Sequence, residues 1–307
     1  MSIALARFAT EPPAVSVLRG DWEGYQLLDS GGGRKLEAFG AVRVIRGEPK
    51  AWWSPALPDA AWDAAVAEHE DERGRWRFRA QDVPERWPLR WGPLRLEARF
   101  TETSKHLGVF PEQAPHWDTL LAAGERFRAE GVERPRLLNL FGYTGAATLA
   151  GAAAGFAVTH VDASKPALAW ARHNQRLSGM EAAPVRWILE DALKYVRREL
   201  NRGSLYEAIV LDPPSFGRGP KKELWRVERD VLTLLEGCAG LLSEAAGLML
   251  LTLYSLEASP IMAGNVLAEV LHERAGTLTV GELALRESGA GGAGRLLPLS
   301  LWAKFEG

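Results

Sequence analysis

The sequence predicts an α/β protein: a parallel sheet covered by helices on both faces, closed by an antiparallel hairpin and preceded by a small α+β domain. Three observations carry this. From Trp117 onward, short apolar runs alternate with helix-length stretches, the pattern of βαβ units. Two strand-like runs then follow each other directly at the end, over 278–285 and 296–304. Before about residue 103 the sequence reads instead as short strands and turns. The division expected is 1–104 for the accessory domain and 105–307 for the main one.

The elements follow in order. Strands over 25–28 and 42–45 flank the turn-rich Asp29-Ser30-Gly31-Gly32-Gly33. A helix is expected over 58–71, where Pro58-Asp59 supplies a rigid entry and a capping carboxylate and Trp62, Val66 and Ala67 share a face. Arg75-Trp76-Arg77-Phe78-Arg79 alternates strictly, a strand with its aromatics on one side. Beyond it, helices are expected over 117–130, 144–154, 165–178, 191–201, 222–243 and 260–272. Strands are expected between them over Arg136–Leu140, 157–161, Val185–Leu189, Ala208–Leu211 and 248–253. The glycine-rich stretch 288–294 makes a flexible loop in the closing hairpin, overhanging the cleft.

Composition narrows the function. A formal net charge of -2 argues against non-specific nucleic-acid binding by the whole surface, while leaving room for a local basic patch. The single cysteine, Cys238, excludes a disulfide framework and a Cys-based metal site, and no metal is expected. It falls in an apolar helical pattern, as a buried, inert thiol would. No run has signal-peptide shape or the length of a membrane span, so a cytoplasmic protein is expected.

Ligands of an open parallel sheet bind beyond the carboxyl ends of its strands, so the residues after each strand matter most. After the first stands Asn139-Leu140-Phe141-Gly142-Tyr143-Thr144-Gly145, whose glycines permit a tight turn and a close ligand approach. It is not the GxGxxG pattern that a dinucleotide pyrophosphate needs. After the second stands Asp162-Ala163-Ser164, about 20 residues beyond the turn, where a carboxylate can accept from ribose hydroxyls or cap a helix. After the third, Glu190-Asp191-Ala192 offers Asp191 to an adenine amino group or to a helix N-terminus. After the fourth stands Asp212-Pro213-Pro214-Ser215-Phe216. Two prolines stiffen the backbone directly after Asp212, and Phe216 is placed to stack on a planar group. Acids for ribose and adenine, without a phosphate cradle, suit adenosine bearing a methionine.

With these motifs in view, the stretch from about Lys105 to Phe305 resembles the class I methyltransferases, with their Rossmann-like sheet. It is similar in particular to the bacterial 23S rRNA methyltransferase group that makes 5-methylcytosine or 7-methylguanine. In that group a segment of type Gly-x-aromatic-x-acid-Gln precedes the cofactor domain, and here it stands as Gly108-Val109-Phe110-Pro111-Glu112-Gln113. The resemblance implies S-adenosyl-L-methionine as cofactor, enclosed by Phe110 and Gln113. It implies the loop carrying Asn139, Phe141, Gly142, Thr144 and Gly145 on the methionine part, and Asp162, Ala163 and Ser164 at the ribose. It also implies Asp191 and Ala192 near adenine, and Asp212, Pro213, Pro214 and Phe216 at the sulfonium and target.

Two departures from the group bear on the substrate. Its cytosine-C5 members carry a nucleophilic cysteine where Ser255 stands, and a serine without a base is a poor substitute for a thiolate. An arginine that often follows the glutamine is Ala114. The function expected is methylation of an RNA base, rRNA-like, at a position other than cytosine C5, with Arg218, Lys221 and Lys222 on the substrate backbone. Methylation of a protein or small molecule is the alternative, and a NAD-dependent oxidoreductase or nucleotide-binding module a more distant one. His106 and His116 are candidate general bases near the cleft mouth. The stretch 71–105 holds nine basic residues against six acids, interleaved with Trp76, Phe78, Trp87 and Trp91. It reads as a solvated strand face over an aromatic core or as a phosphate-contacting patch.

Overall fold

The largely apolar runs of the second region are too short for helices; four of them become inner strands of one sheet, and 185–189 forms its edge. The structure, a computed structural model, describes residues 9–10, 14–17, 22–102, 104–244, 247–254, 258–289 and 294–307. Two short strands come first, β1 (Ala9–Thr10) and β2 (Ala14–Val17). The antiparallel strands β3 (Tyr25–Gly31), β4 (Arg34–Phe39) and β5 (Val42–Gly47) follow. After helix α1 (Asp59–Asp63), β6 (Ala67–Glu70) and β7 (Arg75–Phe78) complete a five-stranded sheet in the order β3-β4-β5-β6-β7. A hairpin of β8 (Arg86–Trp91) and β9 (Leu94–Arg99) leads to a 3-10 turn, Pro111–Gln113, and then to α2 (Ala114–Ala129).

The alternating region begins with β10 (Arg136–Leu140), α3 (Ala146–Ala153), β11 (Ala157–Asp162), α4 (Lys165–Leu177), β12 (Val185–Leu189) and α5 (Ala192–Asn201). It continues through β13 (Ala208–Leu211), the small hairpin β14 (Phe216–Arg218) and β15 (Leu224–Arg226), α6 (Val227–Leu241), β16 (Leu248–Tyr254) and α7 (Pro260–Val270). β17 (Thr277–Arg286) and β18 (Leu296–Glu306) close it. The sheet runs β1-β17-β18-β16-β13-β10-β11-β12, with β2 also on β17. The strands from β16 to β12 are parallel, and β18 lies antiparallel between β16 and β17. The chain leaves β10 toward β11 and β12, then returns to β13 on the other side of β10. That switch opens a crevice at the carboxyl ends of β10 and β13.

The structure corrects the sequence reading in three places. The helix expected over 58–71 is one turn, because 67–70 pairs with both Val44–Ile45 and β7. Strand pairing there outweighs local helix preference, and Glu68 and Glu70 meet arginines of β7. The strand β4 went unread because Lys35 and Glu37 point inward, so its charges hide its burial. The helix expected from 222 starts at Val227; Lys222 has φ 68, which no helix residue adopts, and it sits in the turn of the β14–β15 hairpin.

One apolar core runs through both regions, from Tyr25, Phe39 and Leu96 to Trp117, Phe127 and Leu137. A second lies on the other face of the sheet, under α5, α6 and α7. The arginines of β7 are ion-paired with Glu68 and Glu70, while Trp76, Phe78 and Trp87 each pack on Phe100 at 4.9, 5.0 and 5.2 Å between ring centres. That is the solvated face over an aromatic cluster. No described helix is long and apolar enough to cross a membrane.

Candidate active site

The crevice holds a cavity of about 360 Å³, within the range of small-molecule sites. The ends of five strands, β10, β11, β12, β13 and β16, and the β14–β15 hairpin line it. Beyond β10, the backbone makes two left-handed steps at Phe141 (φ 57) and Tyr143 (φ 48), which turn both rings to the cavity. Gly142 lies between them. A β-carbon there would land on the His160 ring, so packing rather than ligand approach demands this glycine. Gly145, at φ 88, starts α3.

Asn139 and Thr144 do structural work in this loop. Asn139 Nδ2 donates to Thr148 Oγ1 at 2.8 Å, and Thr148 lies 2.8 Å from His160 Nδ1. Burial lowers the His160 pKa to about 3, so the ring that Thr148 meets is neutral. Thr144 Oγ1 donates to the carbonyl of Gly108 at 2.5 Å, holding the segment before α2 against the loop.

Asp162, at the end of β11, accepts from Tyr143 N at 2.8 Å and Ser164 N at 2.7 Å and still faces the cavity. Burial raises its pKa, and the two N–H groups oppose that shift. Ser164 caps α4 through its hydroxyl. Asp191 caps α5, its Oδ1 accepting from Lys194 N at 3.0 Å, and it lines the cavity beside Glu190 and Ala192. Capping and ligand binding are thus both open to it.

At the floor, Asp212 Oδ2 accepts from Gln113 Nε2 at 3.1 Å, whereas Oδ1 has no partner among the described residues. Burial, then the charge of Glu112, pushes the Asp212 carboxyl up to about 8. Pro213 is buried, and the carbonyl of Pro214 accepts from Trp225 Nε1 at 2.7 Å. Gly217 pairs with Trp225 on the cavity side of the hairpin, so alternation turns Phe216 outward, 52% exposed and outside the cavity lining. Arg218 reaches the rim; Lys221 and Lys222 lie at the exposed turn.

Sequence reasoning singled out neither Tyr254 nor Trp225. Tyr254 ends β16 and lines the cavity, so inspecting the fifth strand end as the others were would have found it. Trp225 lay inside a misread helix. Ser255 lies outside the described residues, as does most of the loop 288–294. His106 lines the cavity with Nδ1 unpartnered, and burial lowers its pKa to about 3. His116 is buried against Trp302 beside a small annex of the cavity, its pKa lowered likewise to about 3. Both rings are neutral near pH 7 and are feeble proton acceptors.

The cavity presents Asp162, Glu190, Asp191 and Asp212 against one cation, Arg218. This acidic wall, with the orphaned Asp212 Oδ1 at its floor, fits a cationic ligand bearing hydroxyls and repels a pyrophosphate.

Residues 111–269 match the family described as S-adenosylmethionine-dependent methyltransferase. The chain belongs to that family, and S-adenosylmethionine is its methyl donor. Over its whole length it is similar to a SAM-dependent methyltransferase from Agrobacterium tumefaciens, at 42% identity and TM-score 0.93, covering 97% of that chain. It is also 36% identical over 140 residues to ribosomal RNA large subunit methyltransferase K/L of Hahella chejuensis, and 34% identical over 124 residues to ribosomal RNA large subunit methyltransferase K of Neisseria meningitidis. The matches take in 44% and 40% of this chain but only 18% and 32% of those proteins.

Proposed function

We propose that the chain methylates a nucleobase of RNA, of ribosomal type, at a position other than cytosine C5, and does so in the cytoplasm. The observation that carries the choice of atom is the thiol inventory. Cys238, the one cysteine, is buried in α6 with its pKa pushed well up, so the protein offers no thiolate to add to a cytosine ring. The names of the relatives support RNA as substrate.

The cofactor supplies a methyl group already activated on a sulfonium, so the protein's task is to position and to exclude water. Asp162, Ala163 and Ser164 hold the ribose, and Asp191 and Ala192 the adenine. Phe110, Gln113 and the Asn139–Gly145 loop, with Phe141, Gly142 and Thr144, enclose the methionine end. Asn139 and Thr144 act there by fixing the loop. Asp212, in the turn stiffened by Pro213 and Pro214, faces the acceptor and can take a proton from it. Phe216, outward on the hairpin, and Arg218, Lys221 and Lys222 meet the flanking strand. Residues 1–104 form the accessory, substrate-recognising unit and 105–307 the cofactor domain, with β1 and β2 returning to the edge of the large sheet.

The test is transfer of labelled methyl from S-adenosylmethionine to unmodified 23S rRNA transcripts, with calorimetric titration of S-adenosylhomocysteine alongside. Wild type should bind the product, ignore NAD and label the RNA; Asp162→Ala should lose product binding. Product binding with no label on RNA, but label on a protein or small-molecule fraction, would sink the RNA reading and leave the methyltransferase standing.

A further inference from the structure

A second chamber of about 350 Å³ adjoins the cofactor cavity. The two share His106, Phe110 and Tyr254, a single layer of rings with Phe110 4.7 Å from His106 and 6.0 Å from Tyr254. The far side of the chamber comes from the accessory region: Lys35 on β4, Arg46 on β5, and Glu48 and Lys50 just beyond. Lys105 and Glu112 complete its charged lining.

The four cations are not equally committed. Arg46 is spent on Glu37, with Nε and Nη2 donating at 2.6 and 2.7 Å, and Lys35 stands 3.5 Å from Glu48. Lys50 and Lys105 differ. Lys50 Nζ donates to the carbonyl of Leu299 at 2.6 Å and makes no ion pair among the described residues. Lys105 Nζ donates to the carbonyl of Gly47 at 3.1 Å, and its nearest carboxylate, Asp71, is 4.0 Å away. Carbonyls thus hold two ammonium groups in place without neutralising them, and burial raises the pKa of the neighbouring Glu112. The walls of the cofactor cavity are acidic; those of this chamber, one ring away, carry a positive excess. Trp52, two residues past Lys50, is 91% exposed.

We propose that this chamber is the phosphate subsite of the acceptor: Lys50 and Lys105 take a phosphodiester of the RNA strand, while the target base lies among His106, Phe110 and Tyr254 against the cofactor cavity. The proposal rests on the RNA reading above and gives the accessory domain its role, because that domain builds one wall of the acceptor site. Neutral His106, with Nδ1 free, offers a hydrogen-bonding edge to the base rather than a charge.

The experiment measures anisotropy of a fluorescein-labelled single-stranded RNA across a salt series, using the full chain saturated with S-adenosylhomocysteine. Wild type is compared with Lys50→Gln, Lys105→Gln and the double variant; the buried Lys35 and Arg46 are left intact. Each substitution should weaken RNA binding severalfold and flatten the slope of log affinity against log salt by about 0.7, the double variant by about 1.4. Affinity for S-adenosylhomocysteine should not change. In methyl transfer, KM for RNA should rise with kcat held. If wild type binds RNA and the variants show the same affinity and slope, the inference is overturned and the RNA reading survives. A loss of thermal stability with no change in slope overturns it too, since the lysines would then only tie the domains together. If wild type binds no RNA at all, the reading on which it rests falls, and the inference with it.

Discussion

Asp212 has two carboxyl oxygens with different fates: Oδ2 is engaged by Gln113, and Oδ1 meets no donor among the described residues. Burial and nearby Glu112 raise its pKa to about 8, so near neutral pH the empty site mostly holds the protonated acid. A sulfonium favours the carboxylate, so binding of S-adenosylmethionine should expel a proton, and binding of uncharged-sulfur S-adenosylhomocysteine should not. The sign follows. Affinity for the donor should rise with pH through the interval below about 8 and level off above it, while affinity for the product stays flatter. Calorimetry of both ligands in phosphate and in Tris, whose ionisation enthalpies differ, counts the released protons. Asp212→Asn should abolish the difference between the ligands. Equal proton release for both would mean that Asp212 does not sense the sulfur.

At the scale of elements, the β14–β15 hairpin governs access to the cavity. Trp225 pins it by donating to Pro214 and packing on Phe141, 4.9 Å between ring centres, and Glu223 pairs with Lys194 of α5. Trp225→Ala removes both contacts of the indole, leaving Lys221 and Lys222 on a loosened turn. Trypsin should then cut there faster than in wild type, with S-adenosylhomocysteine slowing cleavage of both by ordering the cavity wall. Unchanged cleavage would show that the hairpin is held by its own pairing alone. This element also shows where the sequence was opaque. The inner strands β10, β11 and β13 were legible because burial on both faces leaves them short and largely apolar. The hairpin was not, since its alternation comprises a glycine, an exposed phenylalanine and charged residues that also suit a helix start. The acids that line the cavity were legible as residues at or just after strand ends. The basic chamber was not: its lysines and arginine meet only after two sheets have folded together, and no spacing along the chain marks that.

The whole molecule behaves as two regions with one core, and one polar cluster joins them across the closing hairpin. Asp29 on β3 accepts from the backbone of Ala56 and Leu57 and from Trp62 Nε1. Ser30 donates to Glu287, beside β17, at 2.5 Å. Arg295 spans both acids, Nη2 donating to Asp29 at 3.0 Å and Nε to Glu287 at 2.8 Å. The two carboxylates are buried to within a few per cent, so without Arg295 they would keep their neutral donors but lose the cation that offsets their charge. Because the Arg295 side chain is itself 37% exposed, water can recover part of that loss, and Arg295→Ala should cost about 3 kcal/mol rather than the upper end for a fully buried pair. The shared core predicts one cooperative urea transition in wild type. In the variant the midpoint should fall with the transition still single, because the apolar contacts between the regions remain. A biphasic curve in the variant would instead mean that the polar cluster, and not the apolar core, is what makes the accessory wall of the acceptor site and the catalytic sheet fold as one.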